Sequence, residues 1–423
     1  MAFFFSRDTK VFMSWSYDGS AAKTALYEIP VLDGFSFSQG TNTSEVTLSE
    51  AANSTGGSKR GRAMFTDSFA PAEWSFSTYM RPTVSGTGSA TTATDGVTNG
   101  QHGGNADKFA IEGPLWAAMS ANTYDRATGA SSSDKSDYEP NVFNFANSNQ
   151  VTLGVFDLFF VLGASKDSEG NTYTTGTDGV TVYKLANCSV GSASIDFDIE
   201  GLAQIAWSGN GQSIEEVASL ETRATDSGNS ITGTTALGIV NEGISSTSNY
   251  IRQKLTDLAI VFDHSASTGT LGALAVDGTN DVTYNVTLTG GNITIENNLT
   301  YLTPETLGSV NTPLGHVMGT RSVSGNFTCY LNDTANSSLD LFERLQESRG
   351  VITNAFDLAF SIGGSGNTPR VTVDIDKAHL ELPSHSFDDV VSVDVAFHGL
   401  STDLSSSTAA NATNEVKLTY VAS

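Results

Sequence analysis

The chain has 423 residues and a formal charge of −25, with 46 acids against 21 bases, which makes it long enough for two domains and too acidic to grip nucleic-acid phosphates or anionic lipid. Its two cysteines, Cys188 and Cys329, are too few to staple such a length and read as small buried residues. No segment has the apolar length of a membrane-crossing helix, and the opening MAFFFSRDTK lacks the basic lead of a signal peptide.

In chain order the sequence reads mostly as strands. Residues 11–17 alternate in polarity and stop at Asp18-Gly19, and a second apolar run follows through Tyr27, Ile29 and Val31, which predicts a hairpin. Phe35 to Ser38 alternates again. Residues 40–69 are polar, Gly-rich and carry Lys59, Arg60 and Arg62, which predicts a long excursion away from the core. Glu73 to Met80 returns as a strand, with Trp74, Phe76 and Thr78 on one face and Glu73, Ser75 and Ser77 on the other.

Small polar residues then dominate around 83–107 and 122–150, which read as surface loops or a small insertion. Between them, Pro114 to Ala121 predicts a short helix with proline in its first turn. FDLFFVLGA (Phe156–Ala164) reads as a buried strand, followed by a hairpin near Gly170 and a strand at Val180–Val182. In Ile195 to Glu200 the apolar Ile195, Phe197 and Ile199 face one way while Asp196, Asp198 and Glu200 face the other, so a strand with a wet acidic face is predicted. Residues 209–249 are low in complexity and read as a loop before a strand at Leu255 to Val261.

The second half repeats this order. FDLAFSIGG returns at Phe356, Val371-Thr-Val373 answers Val180-Thr-Val182, Phe327-Thr-Cys-Tyr330 answers Phe76-Ser-Thr-Tyr79, and Phe387 and Phe397 answer Phe197 and Trp207. Gly290 answers Gly34, and residues 297–324 answer the excursion at 40–69. A helix is predicted through SLDLFERLQESR, with Leu341, Phe342 and Leu345 as its stripe and Ser337 or Ser338 as its cap. Asp388 and Asp394 keep part of the acidic face. The expected fold is therefore mainly β, two tandem copies of an antiparallel sandwich or barrel with one packed helix each. The first copy spans residues 1–262 with insertions at about 83–150 and 209–249, and the second spans 263–423.

Chemistry-bearing motifs are weak. His379, Glu381 and His385 lie close together with Asp388 and Asp389 downstream, but without metal-ligand spacing or a counterpart in the first copy they read as surface residues. Asp167 to Asn171 lacks the ligand run of a calcium loop, and Gly86-Thr-Gly88 lies in low-complexity sequence with no strand before it. The expectation is no catalytic residue, no metal and no cofactor.

Two tandem units of this pattern, a long loop after the second strand, the run Asn249-Tyr-Ile-Arg-Gln-Lys-Leu255 ahead of a strand and the acidic composition together resemble the tail tube proteins of tailed bacteriophages, the duplicated type of long-tailed phages above all. The resemblance implies a virion structural protein that is not an enzyme, made in the host cytoplasm. It implies homotrimeric, pseudo-six-fold rings stacked into a β-walled tube that meets other tail proteins and through which viral DNA passes without specific binding or a membrane partner. Under it, Asp196, Asp198, Glu200, Asp388 and Asp394 are candidates to face the lumen, against a solvated outer face, and Lys59, Arg60 and Arg62 to meet a neighbouring subunit or ring. The alternative is a surface adhesin, for which the Asn-x-Thr sites at Asn285, Asn292, Asn298 and Asn326 speak. Such sites arise cheaply in a Thr- and Asn-rich chain, and the missing signal peptide weighs against it.

Overall fold

The first predicted hairpin is present: β1 (Thr9–Trp15) pairs antiparallel with β2 (Ala25–Ile29), and on its other side with β8 (Phe156–Leu162), the FDLFFVL strand. The computed structural model describes residues 4–15, 25–47, 62–84, 108–120, 142–146, 153–163, 175–176, 179–218, 220, 237–238, 250–262, 281–303, 307, 310–347, 356–387, 390–401 and 414–421.

In the first half, β3 (Ser36–Thr47) pairs with β4 (Arg62–Tyr79), a short ribbon joins β5 (Pro82–Val84) to β6 (Lys108–Ala110), and α1 (Gly113–Ser120) follows. After β7 (Val142–Ala146) and β8 come the long β9 (Thr181–Phe197), β10 (Gln204–Gly211), β11 (Ser213–Val217) and the two-residue β12 (Leu237–Gly238) beside β2. The N-terminal part of β9 pairs with β8 and β11, and its C-terminal part with β10.

The second half runs through β13 (Asp257–Phe262), β14 (Val282–Asn285), β15 (Thr287–Glu296), the small ribbon of β16 (Thr300–Leu302) and β17 (Gly315–Val317), β18 (Ser322–Tyr330) and α2 (Ser338–Glu347). It closes with β19 (Phe356–Ile362), β20 (Arg370–Leu380), β21 (Ser384–Phe387), β22 (Val391–Gly399) and β23 (Asn414–Val421).

The repeated motif has a structural reason. β8 and β9 slip register between Phe156 and Leu158, and β19 and β20 slip between Phe356 and Leu358, so the Asp of Phe-Asp-Leu sits at a bulge in both halves. In the first, Asn187 takes φ 50° on the bulged strand and donates its N–H to Asp157 Oδ1 at 2.8 Å. A carboxylate there satisfies a backbone donor that the slipped ladder leaves over. Lys184, also buried, lies 4.0 Å from Asp157 and 2.8 Å from Glu215 of β11.

Several expectations need correction. Residues 40–69 were expected as a loop, yet Thr41 to Thr47 and Arg62 to Phe69 continue the β3–β4 hairpin with their described side chains exposed or half-buried, since a two-stranded ladder satisfies its own backbone beyond the core. Residues 209–249 include β11. The insertion at 122–150 includes β7, whose Phe143 and Phe145 are buried and which adds itself to β23 of the other half. The strand expected to close the first copy is β13, but it pairs with β14 and β19, the place β1 holds between β2 and β8. By pairing it sits with the second half.

Both helices form near their predicted places. α1 is buried along its whole length, and Ser337 stands at the N-cap of α2 with its C=O accepting from Leu341 N–H, but neither serine hydroxyl bonds a described N–H of the helix's first turn. Ser338 Oγ instead accepts from Asn332 N–H and donates to Tyr330 O, and Ser337 Oγ donates to Asn332 O, tying the helix start to the preceding loop. Nor do the halves keep separate cores. One apolar cluster contains Trp74, Trp116 and Trp207 together with Phe327, Phe360 and Phe397. Cys188 and Cys329 are both buried and form no disulfide.

Candidate functional site

The pairings assemble one continuous antiparallel sheet that crosses from one half to the other. Its order is β3, β4, β10, the C-terminal part of β9, then β15, β18, β22 and β21. The joint between the halves is β9 against β15, with Phe197 opposite Gly291, Asp196 opposite Asn292 and Ser194 opposite Thr294. Gly291 is required there, because a Cβ would come 2.8 Å from the Phe197 ring.

Period two sends alternate residues of every strand to opposite faces. One face supplies the core, with Trp74, Phe76, Ile195, Trp207, Ile293, Phe327 and Val395 buried. The other is a wall of hydroxyls and amides. Five Ser-x-Ser runs end up on it: Ser36 and Ser38, Ser75 and Ser77, Ser192 and Ser194, Ser322 and Ser324, and Ser384 and Ser386. They bond across strands, Ser36 to Ser75 at 2.8 Å, Ser192 to Ser208 at 2.7 Å and Ser194 to Thr294 at 3.3 Å.

Acids on this wall are sparse. Glu73, Asp196 and Glu296 are exposed, and Asp394 is half-buried, accepting from Asn326 Nδ2 at 2.9 Å and Thr328 Oγ1 at 3.0 Å. Lys and Arg are missing from the paired stretches 36–39, 73–79, 192–196, 204–210, 292–296, 322–328, 384–387 and 392–396. Within these stretches the face is rich in groups that bind water and holds no Lys or Arg.

Of the five candidate acids, Asp196 and Asp394 share this face. Asp198 and Glu200 are exposed in the turn after Phe197, where the strand ends, and Asp198 Oδ1 accepts the Ile199 N–H at 2.6 Å. The predicted alternation therefore stops at Phe197, and Ile199 is exposed. Asp388 lies outside the described residues, as do Lys59 and Arg60. Arg62 opens β4 opposite Thr47. The sequence singles out the carboxylates, and of the five Ser-x-Ser runs on this face only Ser75 and Ser77 are read there as polar-facing.

The histidines do not converge on a metal. His398 Nε2 lies 3.2 Å from Glu381, His379 pairs beside His398, and His385 packs edge-on to Phe342, and among the described residues no three His, Cys, Asp or Glu side chains could hold an ion. The possible calcium loop and Gly86-Thr-Gly88 lie outside the described residues.

Each end of the continuous sheet has an open strand. Among the described residues β3 pairs only with β4, and β21 only with β22. Phe387 on β21 is 80% exposed, with Leu382 and Val390 exposed on either side.

The seam inside the chain is braced by buried polar groups. Asn297 Nδ2 donates to Met119 O and Val190 O, Arg321 Nε donates to Asn297 Oδ1, and the Arg321 guanidinium lies 3.7 Å from Glu415 and 5.1 Å from the Phe145 ring centroid. Burial pulls the Arg321 pKa down, partly offset by Glu415. Nearby, Trp116 Nε1 donates to Tyr420 Oη at 2.7 Å.

The second half also lays its β16–β17 ribbon on the first. Tyr301 Oη donates to Asn187 O at 2.5 Å, Ser189 Oγ is 3.1 Å from His316 Nδ1, and Phe69 N donates to Asn311 O at 2.8 Å. The ribbon and its connection leave Leu302, Leu307, Leu314 and Val317 exposed, as the β3–β4 arm leaves Met64 and Phe65.

No family model matches the chain. A curated relative does: over 402 residues, 94% of this chain and 73% of the other, it is 28% identical to the tail tube protein pb6 of Escherichia phage T5.

Proposed function

We propose that the chain is a phage major tail tube protein, that three copies close a pseudo-six-fold ring and that rings stack into the tail tube through which viral DNA leaves the virion. Each copy supplies two tandem units, with the seam between them ahead of β13. The observation that carries this reading is the β9–β15 joint, which fuses the sheets of two similar halves inside one chain and leaves one open strand at each end. Repeating that joint between chains satisfies both edges, and edges otherwise invite indiscriminate pairing.

On this reading the hydroxyl face lines the bore, with Asp196 and Asp394 in the wall and Asp198 and Glu200 at its rim. DNA phosphates then meet bound water and a few carboxylates, whose repulsion acts within a screening length of about 8 Å. The arms, with Lys59, Arg60 and Arg62 on the first, reach the neighbouring chain or the next ring. Its partners are further copies of itself, other tail proteins and DNA held by no specific contact. It is built in the host cytoplasm and resides in the virion tail, and it performs no catalysis.

Electron microscopy of the purified protein, together with native mass spectrometry, tests the proposal. Hollow tubes or rings of three chains are expected. A protein that stays monomeric at high concentration, with no pore in any assembly, overturns it.

A further inference from the structure

The joint inside the chain gives the register of the joint between chains. Where the first half has Ser36 opposite Ser75, next to Phe76, the second has Asn292 opposite Asn326, next to Phe327. Phe35, Ser36 and Ser38 therefore hold the places of Gly291, Asn292 and Thr294. At the other edge, Asp196 opposes Gln204, while Ser386 and Phe387 oppose Ser392 and Val391. A register slip next to Gly209 on β10 has its counterpart between Phe397 and Asp394 on β22, so Ser386 and Phe387 hold the places of Asp196 and Phe197.

We infer that β21 of one chain pairs antiparallel with β3 of the next, with Phe387 opposite Phe35, Ser386 opposite Ser36, His385 opposite Phe37 and Ser384 opposite Ser38. The inference rests on the ring reading above and adds its register. The occupant of the open β21 edge is thus a second copy of this chain.

Exposure supports the assignment. Phe197 is 3% exposed because the second half covers it and its ring lies 5.6 Å from Phe360, whereas Phe387 in the matching place is 80% exposed. The receiving edge already has rings to meet it, since Phe35 and Phe37 pack on Phe160 at 5.7 and 4.5 Å. On the polar face the pairing continues the hydroxyl wall, placing Ser384 beside Ser38 as Ser194 lies beside Thr294.

The two joints are not interchangeable. Inside the chain a ring lies against glycine, and between chains a ring meets a ring.

The test uses cysteine pairs in the full chain, where the native Cys188 and Cys329 are buried. Directly opposed residues lie about 4.5–5.5 Å apart and suit a disulfide, whereas a two-residue slip leaves about 7–8 Å. The combination Ser38→Cys with Ser384→Cys is expected to give covalent three-chain species on mild oxidation under denaturing electrophoresis, and Ser36→Cys with Ser384→Cys to give almost none. Phe387→Asp is expected to cut assembly at least tenfold while circular dichroism of the soluble chain is unchanged. Tubes that form normally but cross-link only in the slipped pair, or in neither, overturn the register and leave the ring standing. A parent chain that never assembles overturns the ring reading and the register with it.

Discussion

Trp74 lies across Gly209, its direct partner on the neighbouring strand, so closely that a Cβ on the glycine would come 2.5 Å from the indole. In the second half the pair is exchanged. Phe397 lies across Gly325, where a Cβ would come 2.7 Å from the ring. By register Trp74 and Gly325 hold one place and Gly209 and Phe397 the other, so Phe397 answers Gly209 and not Trp207 as the order of the sequence suggested, and each half fills the same gap from the opposite strand. Gly209→Ala and Gly325→Ala should each destabilise the chain by about 1–3 kcal/mol through overpacking. Gly315→Ala, with open space around it, should stay within about 0.5 kcal/mol. Urea unfolding followed by tryptophan fluorescence compares the three.

Glu112 is fully buried, and burial pushes its carboxyl up to about 7 against the opposing pull of the Tyr420 hydroxyl and Arg81. The folded chain thus holds this proton more tightly than the unfolded chain, whose value is 4.5. Its contribution is complete below pH 4.5 and is lost as the pH rises through about 7, a change of about 3 kcal/mol. Glu112→Gln should abolish this part of the slope, read as denaturation midpoints at about pH 5 and about pH 8.

Lys184 should matter more than an exposed lysine. Its ammonium is buried beside Asp157, which is itself buried and holds the bulge at Asn187. Lys184→Met removes the cation and should cost about 3 kcal/mol, and adding Asp157→Asn should recover part of that loss. A double-mutant cycle in thermal unfolding measures the coupling.

If the hydroxyl face lines the bore, charge placed on it should act on DNA. Gln204→Lys with Ala206→Lys, both at exposed positions of that face, should leave tubes intact while slowing DNA release, and added salt should restore the rate. Single-particle ejection assays on virions carrying the variant read the delay. Unaltered release with tubes intact would place the face elsewhere.

Much of the fold is legible because its signals are local. Alternating polarity marks β1 and β4, the paired Phe-Asp-Leu runs mark β8 and β19, and the stripe of Leu341, Phe342 and Leu345 marks α2. The polar face was half legible, since Asp196, Ser75 and Ser77 are each read on the polar side of a strand while the other serines are not. Ser-x-Ser is an ordinary exposed pattern on any one strand, and it becomes a surface only when the strands carrying it are laid side by side.

Residues far apart decided the rest. Nothing near Phe143 says that β7 will pair with β23, nor does anything near Leu258 say that β13 turns to β19 and away from the strands before it. The sequence by itself determined the strand-rich class, the acidic balance and, within most strands, which side chains share a face, since these follow from period and composition within a few residues. Only the tertiary structure decided the common core, the β9–β15 joint and the two open edges. A strand's hydrogen bonds go to whichever partner closure of the whole chain brings alongside, and that choice leaves no mark on the strand's own residues.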